Sequence, residues 1–133
     1  MSKPPTLADL SEAFVIIDPK HHAESVTIGE DFFQQLDRRS DGFRGHLLMS
    51  SFSFDSDWST WERHPAGDEI VILLSGEATL LLELPDGNQK ITLKKPGSYV
   101  IVPTNIWHTA QTTTPTQMLF LTPGAGTENR AID

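Results

Sequence analysis

Trp61-Glu62-Arg63-His64-Pro65-Ala66-Gly67-Asp68-Glu69 is the stretch on which the reading of this chain turns. Glu62 and His64 are two residues apart, so on a strand both side chains share one face. Pro65 to Gly67 interrupts the strand, which lets Glu69 return to that face despite its odd offset. Further along, Pro103-Thr104-Asn105-Ile106-Trp107-His108 brings a second histidine in a segment that can pair beside the first. Two imidazoles and one or two carboxylates converging from two strands form a set that Zn, Fe, Ni or Mn accepts. Each residue alone has an ordinary explanation: a turn histidine, a solvated carboxylate, a core histidine. Their joint spacing favours a metal site over these separate readings.

The surrounding chain reads as strands punctuated by turns. Phe14 to Asp18 is a short apolar run stopped by Pro19, and Phe43 to Phe54 is a long candidate strand. Ile70 to Leu74, Ala78 to Leu84, Lys90 to Leu93, Tyr99 to Val102 and Gln117 to Leu121 follow. Ser75-Gly76, Pro85-Asp86-Gly87-Asn88 and Pro96-Gly97 mark the turns between them. Short strands at this spacing predict a sandwich or barrel. Between the first two strands, Gly29 to Arg39 predicts a short helix with Phe32, Phe33 and Leu36 on one face. Glu30 and Asp31 at its start and Arg38 and Arg39 at its end suit the helix dipole. Ile70-Val71-Ile72-Leu73-Leu74, Leu80-Leu81-Leu82 and Met118-Leu119-Phe120-Leu121 are apolar on both faces, so something must cover the second face.

With 133 residues the chain is expected to be one domain: an arm and strand/helix segment over 1–40, a barrel over 41–124 and a tail over 125–133. Its 38% apolar content favours a thin, strand-rich fold. A formal net charge of −8 with scattered Lys and Arg argues against nucleic-acid binding. The absence of cysteine excludes disulfides, thiolate metal sites and cysteine nucleophiles. The proline-bearing first residues do not read as a signal peptide, and no apolar run approaches a membrane span. A cytoplasmic protein is the expectation. Gly124-Ala125-Gly126 is a weak match to a phosphate loop with nothing helical behind it, and no Gly-x-Ser-x-Gly elbow is present.

The spacing resembles the cupin superfamily. Against its first motif, G-x5-H-x-H-x3,4-E-x6-G, stand Ser56, Glu62, His64, Glu69 and Gly76. Against its second, G-x5-P-x-G-x2-H-x3-N, stand Gly97, Pro103, Asn105, His108 and Thr112. The resemblance implies an all-β fold, a double-stranded β-helix (jelly-roll) barrel, with a divalent transition metal in its mouth. Glu69 rather than Asp68 corresponds to the motif glutamate, since it alone leaves six residues before Gly76. Asp68 is expected to cap the turn after Gly67. Glu62 replaces the first motif histidine, so the implied ligand set becomes Glu62, His64, Glu69 and His108. Asn105 replaces a glycine at a position where Asn tolerates the left-handed region.

His46, Tyr99 and Trp107 are further candidates near the pocket, although a strand histidine with an ordinary partner and aromatics used for packing are the plainer readings. His21 and His22 read as a solvated loop. Were the site empty, two close buried carboxylates would repel, and one is expected to protonate near neutral pH. The functional expectation is a small metal-binding cupin, an enzyme of oxygenase or isomerase type acting on a small organic molecule. Two other readings stand beside it: a non-catalytic small-molecule binder, and a structural cupin with a vestigial site. A homodimer is expected, with Phe14 to Ile17 adding an edge strand or covering the partner's sheet.

Overall fold

Ladder pairing brings together strands that are far apart in the sequence. The computed structural model describes residues 3–38 and 40–132, in which the strands form two antiparallel sheets. Sheet A has the order β2 (Ala23–Thr27), β1 (Ala13–Ile17), β3 (Leu47–Phe54), β10 (Thr116–Thr122), β5 (Glu69–Ser75), β8 (Tyr99–Val102). Sheet B has the order β11 (Glu128–Ala131), β4 (Thr60–Arg63), β9 (His108–Gln111), β6 (Ala78–Leu84), β7 (Gly87–Leu93). β10 lies between β3 and β5, and β9 between β4 and β6; from β3 onward successive strands alternate between the sheets, except for the β6–β7 hairpin. This is the expected jelly-roll barrel.

Period-two alternation explains which side chains enter the core. Val71 and Leu73 on β5, Val100 and Val102 on β8, and Met118 and Phe120 on β10 face Ala78, Leu80 and Leu82 on β6 and Ala110 on β9. Each large side chain buried this way contributes about 1.5–3 kcal/mol. A second cluster extends the inner side of sheet A, where Phe14, Ile16 and Leu48 meet Phe32, Leu36 and Phe43. The last three come from α1 (Phe32–Arg38) and α2 (Ser40–Phe43), and Phe14 meets Phe32 edge-on at 5.3 Å. The helix predicted over 29–39 therefore exists and covers the sheet. Phe33, however, turns outward and is 57% exposed, one residue round the helix from the Phe32 and Leu36 stripe. Arg39 lies outside the described residues.

The predicted long strand from Phe43 begins only at Leu47. Phe43 and Gly45 both have positive φ, 66° and 73°, which no strand can continue through. A Cβ at Gly45 would also meet Pro19 Cγ at 2.9 Å. Beyond β4 and β9, whose pairing the ligand spacing predicts, two strands carry sequence signals too weak to predict: β2 and β11. The last of these belongs to the segment read as a tail.

Both carboxyl-bearing and imidazole-bearing positions collect at one end of the barrel. Glu69 starts β5, Thr122 ends β10, Glu62 is near the end of β4 and His108 starts β9. The other end is tied by Thr112 and Thr116, whose hydroxyls donate to the Glu77 carbonyl at 2.6 and 3.0 Å. Gly76 is required there. Its φ is +84°, and a Cβ would lie 2.3 Å from the Pro115 carbonyl oxygen.

Candidate metal centre

Glu62 and His108 are direct ladder partners on β4 and β9, so their side chains emerge on one face. His64 follows one residue after β4 and retains the inward alternation of Glu62. Glu69 enters from the opposite sheet, paired with Val102 across β5 and β8. One ligand atom from each of the four residues lies within 4.8 Å of the others. The structure thus brings together all four residues that the motif spacing selects. Asp68 points elsewhere, accepting from the Thr104 backbone N–H and hydroxyl at 2.8 and 2.7 Å. It caps a loop distant in sequence rather than its own turn. Asn105 has φ +63°, as its replacement of glycine requires, and its N–H donates to the His64 carbonyl at 2.9 Å.

The hydrogen bonds determine which nitrogen each ring presents. His108 Nδ1 lies 3.0 Å from the Ile106 carbonyl, which can only accept, so Nδ1 bears the proton. His64 Nδ1 lies 2.8 Å from Thr127 Oγ1, and that hydroxyl lies 2.9 Å from the Gly124 carbonyl. Thr127 must give its only proton to the carbonyl, so its oxygen accepts from His64 Nδ1–H. Both rings therefore turn Nε2 toward the cluster. His108 Nε2 is 3.0 Å from Glu69 Oε1 and 3.5 Å from Glu62 Oε1. His64 Nε2 is 3.2 Å from Glu69 Oε2 and 3.5 Å from Glu62 Oε1. Thr122 donates to Glu69 Oε2 at 2.6 Å and fixes that carboxylate.

These features fit a divalent metal. Among the described residues, His64 Nε2 is buried without a hydrogen-bond partner, because its approach to Glu69 is poorly directed for one. A cation bonded at 2.0–2.1 Å in a tetrahedron holds its ligand atoms about 3.3 Å apart. The N···O separations of 3.0–3.5 Å straddle that value. Two carboxylates also neutralise a divalent charge.

The ionisation pattern corrects one expectation. Burial raises the Glu62 carboxyl, but His108 and His64 outweigh it and hold it at about 2. Burial likewise raises Glu69, and the same two histidines bring it below the ordinary carboxylate value. Conversely, burial lowers His64 and His108, while Glu62 and Glu69 raise them to about 9 and about 10. Neither carboxylate is protonated near neutral pH. The imidazoles hold the protons, because two adjacent bases were available to relieve the repulsion between the acids.

The three other candidates lie apart from the cluster. His46 precedes β3, with Nδ1 2.8 Å from the Arg44 carbonyl and its ring 5.3 Å from Phe43. Tyr99 is 62% exposed on β8. Trp107 lies on the outside of sheet B, with Arg63 and Arg130 each stacked 4.6 Å from its ring. His22 forms an exposed pair with Asp18. Thr122 and Thr127, which orient two of the ligands, were not identified from sequence; a threonine carries no signal until the fold places it. Two clefts of about 510 and 460 Å³ lie beneath the N-terminal arm, lined by residues such as Lys3, Thr6 and Ser25, away from the cluster.

The cupin domain family model matches residues 55–123, slightly over half the chain. The chain belongs to the cupin superfamily. Similar solved structures include a cupin superfamily protein from Desulfitobacterium hafniense, 30% identical over 57% of this chain and 65% of that one (TM-score 0.48). An oxalate oxidase in complex with the substrate analogue glycolate is 16% identical over 62% of this cupin and 45% of its own chain (TM-score 0.53). Oxalate decarboxylase from Bacillus subtilis is 14% identical over 65% of this chain and 23% of its own (TM-score 0.51). The last two share the fold, and this chain spans less than two thirds of the length of each of the three. No curated protein matches the chain. No helix among the described residues is long and apolar enough to cross a membrane.

Proposed function

We propose that this cupin is a cytoplasmic metal-dependent enzyme of oxygenase or isomerase type, acting on a small organic molecule. One observation carries the reading: both imidazoles are locked with Nε2 facing two carboxylates at one end of the barrel. Glu62, His64, Glu69 and His108 would hold one Zn, Fe, Ni or Mn ion. Such an ion supplies Lewis-acid polarisation of a substrate oxygen and, for a redox-active metal, electron transfer. Leu82 beside His108 and Val102 beside Glu69 in their ladders keep the inner side of the site dry. Glu62 differs from its companions in being 25% exposed, against 5% or less for the other three. If His64, Glu69 and His108 alone serve as a facial set, Glu62 is the carboxylate left free to take up a substrate proton.

Metal analysis of purified protein tests the first half, with about one ion per chain expected. Oxygen-uptake and isomerisation assays over a panel of small organic acids and alcohols test the second. Metal content near zero after growth in metal-replete medium would count against the whole reading.

The burial of three of the four ligands favours a second reading, a barrel that binds a small molecule without turnover. Ligand binding that shifts the melting temperature, with no product formed by the metal-loaded protein, would select it. On either reading we propose a homodimer.

A further inference from the structure

Gly124-Ala125-Gly126 is packed too tightly to be an idle linker. A Cβ at Gly124 would come 3.3 Å from Phe43 Cδ2, and one at Gly126, whose φ is +72°, would come 3.3 Å from Pro65 Cγ. From the other side, a Cβ at Gly67 would meet Pro123 Cγ at 3.2 Å. The turn thus lies directly against the Pro65–Gly67 break that separates His64 from Glu69. Beyond it, β11 pairs with β4, Glu128 opposite Arg63 and Arg130 opposite Trp61. Outer-face contacts latch that strand. Arg63 Nη2 is 2.6 Å from Glu128 Oε2, Arg130 pairs with Glu83, and Arg130 stacks on both Trp107 and Trp61. Thr127, at the junction of turn and strand, faces inward to His64.

We propose that residues 123–131 form a strap whose task is to deliver Thr127 as the positioning residue of the metal centre. Its hydroxyl, committed to the Gly124 carbonyl, accepts from His64 Nδ1–H and so keeps Nε2 as the nitrogen turned to the cluster. His108 needs no such device, because the Ile106 carbonyl from its own loop does the same work. His64 Nδ1 has its partner 63 residues along the chain instead, in the Thr127 hydroxyl that the C-terminal segment supplies. Apart from Pro123, the strap lies beyond residues 55–123, the part of the chain that matches the cupin domain model. The consequence for metal affinity rests on the metal-centre reading; the hydrogen bond does not.

Nitrogen NMR on the full chain, after chelation, reads the ring directly. Wild type should show a hydrogen-bonded, slowly exchanging proton on His64 Nδ1; Thr127→Ser should keep that protection, and Thr127→Val, which leaves the Nδ1–H without an acceptor, should lose it. In zinc titrations, Thr127→Val should bind roughly 10- to 100-fold more weakly, with Thr127→Ser close to wild type. A wild-type His64 with no proton on Nδ1 overturns the proposal, as does a Thr127→Val protein that binds zinc like wild type. Equal weakness of Thr127→Ser and Thr127→Val overturns it too, since that would mean packing rather than the hydroxyl matters. If Thr127→Val does not fold, the ring proton in wild type and in Thr127→Ser decides. Wild type that shows this proton and takes up no metal supports the positioning and overturns the metal-centre reading instead.

Discussion

Sheet A and sheet B have similar inner faces and opposite outer ones. Outward on sheet A stand Ile70, Ile72 and Leu74 on β5, Tyr99 and Ile101 on β8, and Leu119 and Leu121 on β10; Tyr99 and Ile101 are 62% and 53% exposed. Outward on sheet B stand Arg63, Arg130, Glu83, Glu128, Trp61 and Trp107, joined by ion pairs and stacked rings. The polar sheet also carries most of the candidate site, with Glu62 and His108 in its strands and His64 immediately after β4. Sheet A contributes Glu69 and the Thr122 that orients it. The difference shows why apolarity on both faces of β5 and β10 does not mean burial on both. One face makes the barrel core, and the other is a surface of a kind monomers rarely leave bare.

The sharpest test removes what sheet B contributes. His64→Ala combined with His108→Ala should reduce metal retention to background, measured by elemental analysis after dialysis, while the barrel keeps its circular dichroism. Full occupancy in the double variant would separate the metal from this cluster altogether. A pH series gives the next largest effect. In chelated protein both histidines stay protonated up to about 9 and about 10, so a metal entering at neutral pH displaces two protons. Affinity should therefore rise with pH by up to about 100-fold per unit between pH 7 and 8. Stability of the chelated protein should move the opposite way. The histidine contribution is complete below the unfolded value of about 6.5 and is lost as pH rises through 9 to 10. The carboxylate contribution is complete above about 4.5 and, for Glu62, is lost as pH falls through about 2. A melting temperature that climbs from pH 7 to pH 9 without metal would contradict this balance.

Sheet A is tested by its surface. If two copies cover each other's outer faces, Ile101→Glu or Ile72→Glu should weaken the dimer by about 2 kcal/mol or more, roughly 30-fold in dissociation constant. The same change on sheet B, at Thr79 or Thr92, should leave it intact. Light scattering across a dilution series measures both. A wild-type mass that stays at one chain at micromolar concentration would mean that the face is solvated after all.

How much of this was legible beforehand differs between the barrel and its flanks. From Glu62 to Leu121 the strands are apolar enough, and the turn residues distinctive enough, that period and punctuation locate most elements. The site was legible because two residues on one strand and a histidine on its neighbour need only spacing to be brought together. Glu69 over Asp68 was legible for the same reason. What escaped was set by tertiary context. Ala23–Thr27 and Glu128–Ala131 have no apolar alternation, and they are strands because an open sheet edge accepts them. Phe43 to His46 looked like strand because φ at Phe43 and Gly45 is decided by packing against Pro19 and the helices. Proton positions in the cluster escaped as well, because two neighbouring bases reverse what two isolated acids would do.

Glu62 is where the smallest effect should distinguish the two sides of the cluster. It is the ligand candidate nearest solvent, it sits 3.5 Å from each Nε2, and it has no threonine fixing it as Thr122 fixes Glu69. Glu62→Ala should therefore weaken metal binding modestly, about 10-fold, a loss like that of an orienting partner rather than of a main ligand. Glu69→Ala should cost far more, because it removes the carboxylate that both imidazoles approach at 3.0 and 3.2 Å. Glu62→His should restore binding, since imidazole suits Zn, Fe and Ni, and it should lower the pH at which chelated protein loses stability by removing one of the two acids that raise His64 and His108. Isothermal titration of the three variants with one metal measures the order. If Glu62→Ala and Glu69→Ala lose affinity equally, the two carboxylates are equivalent ligands, and the proton-accepting role assigned to Glu62 fails with that result.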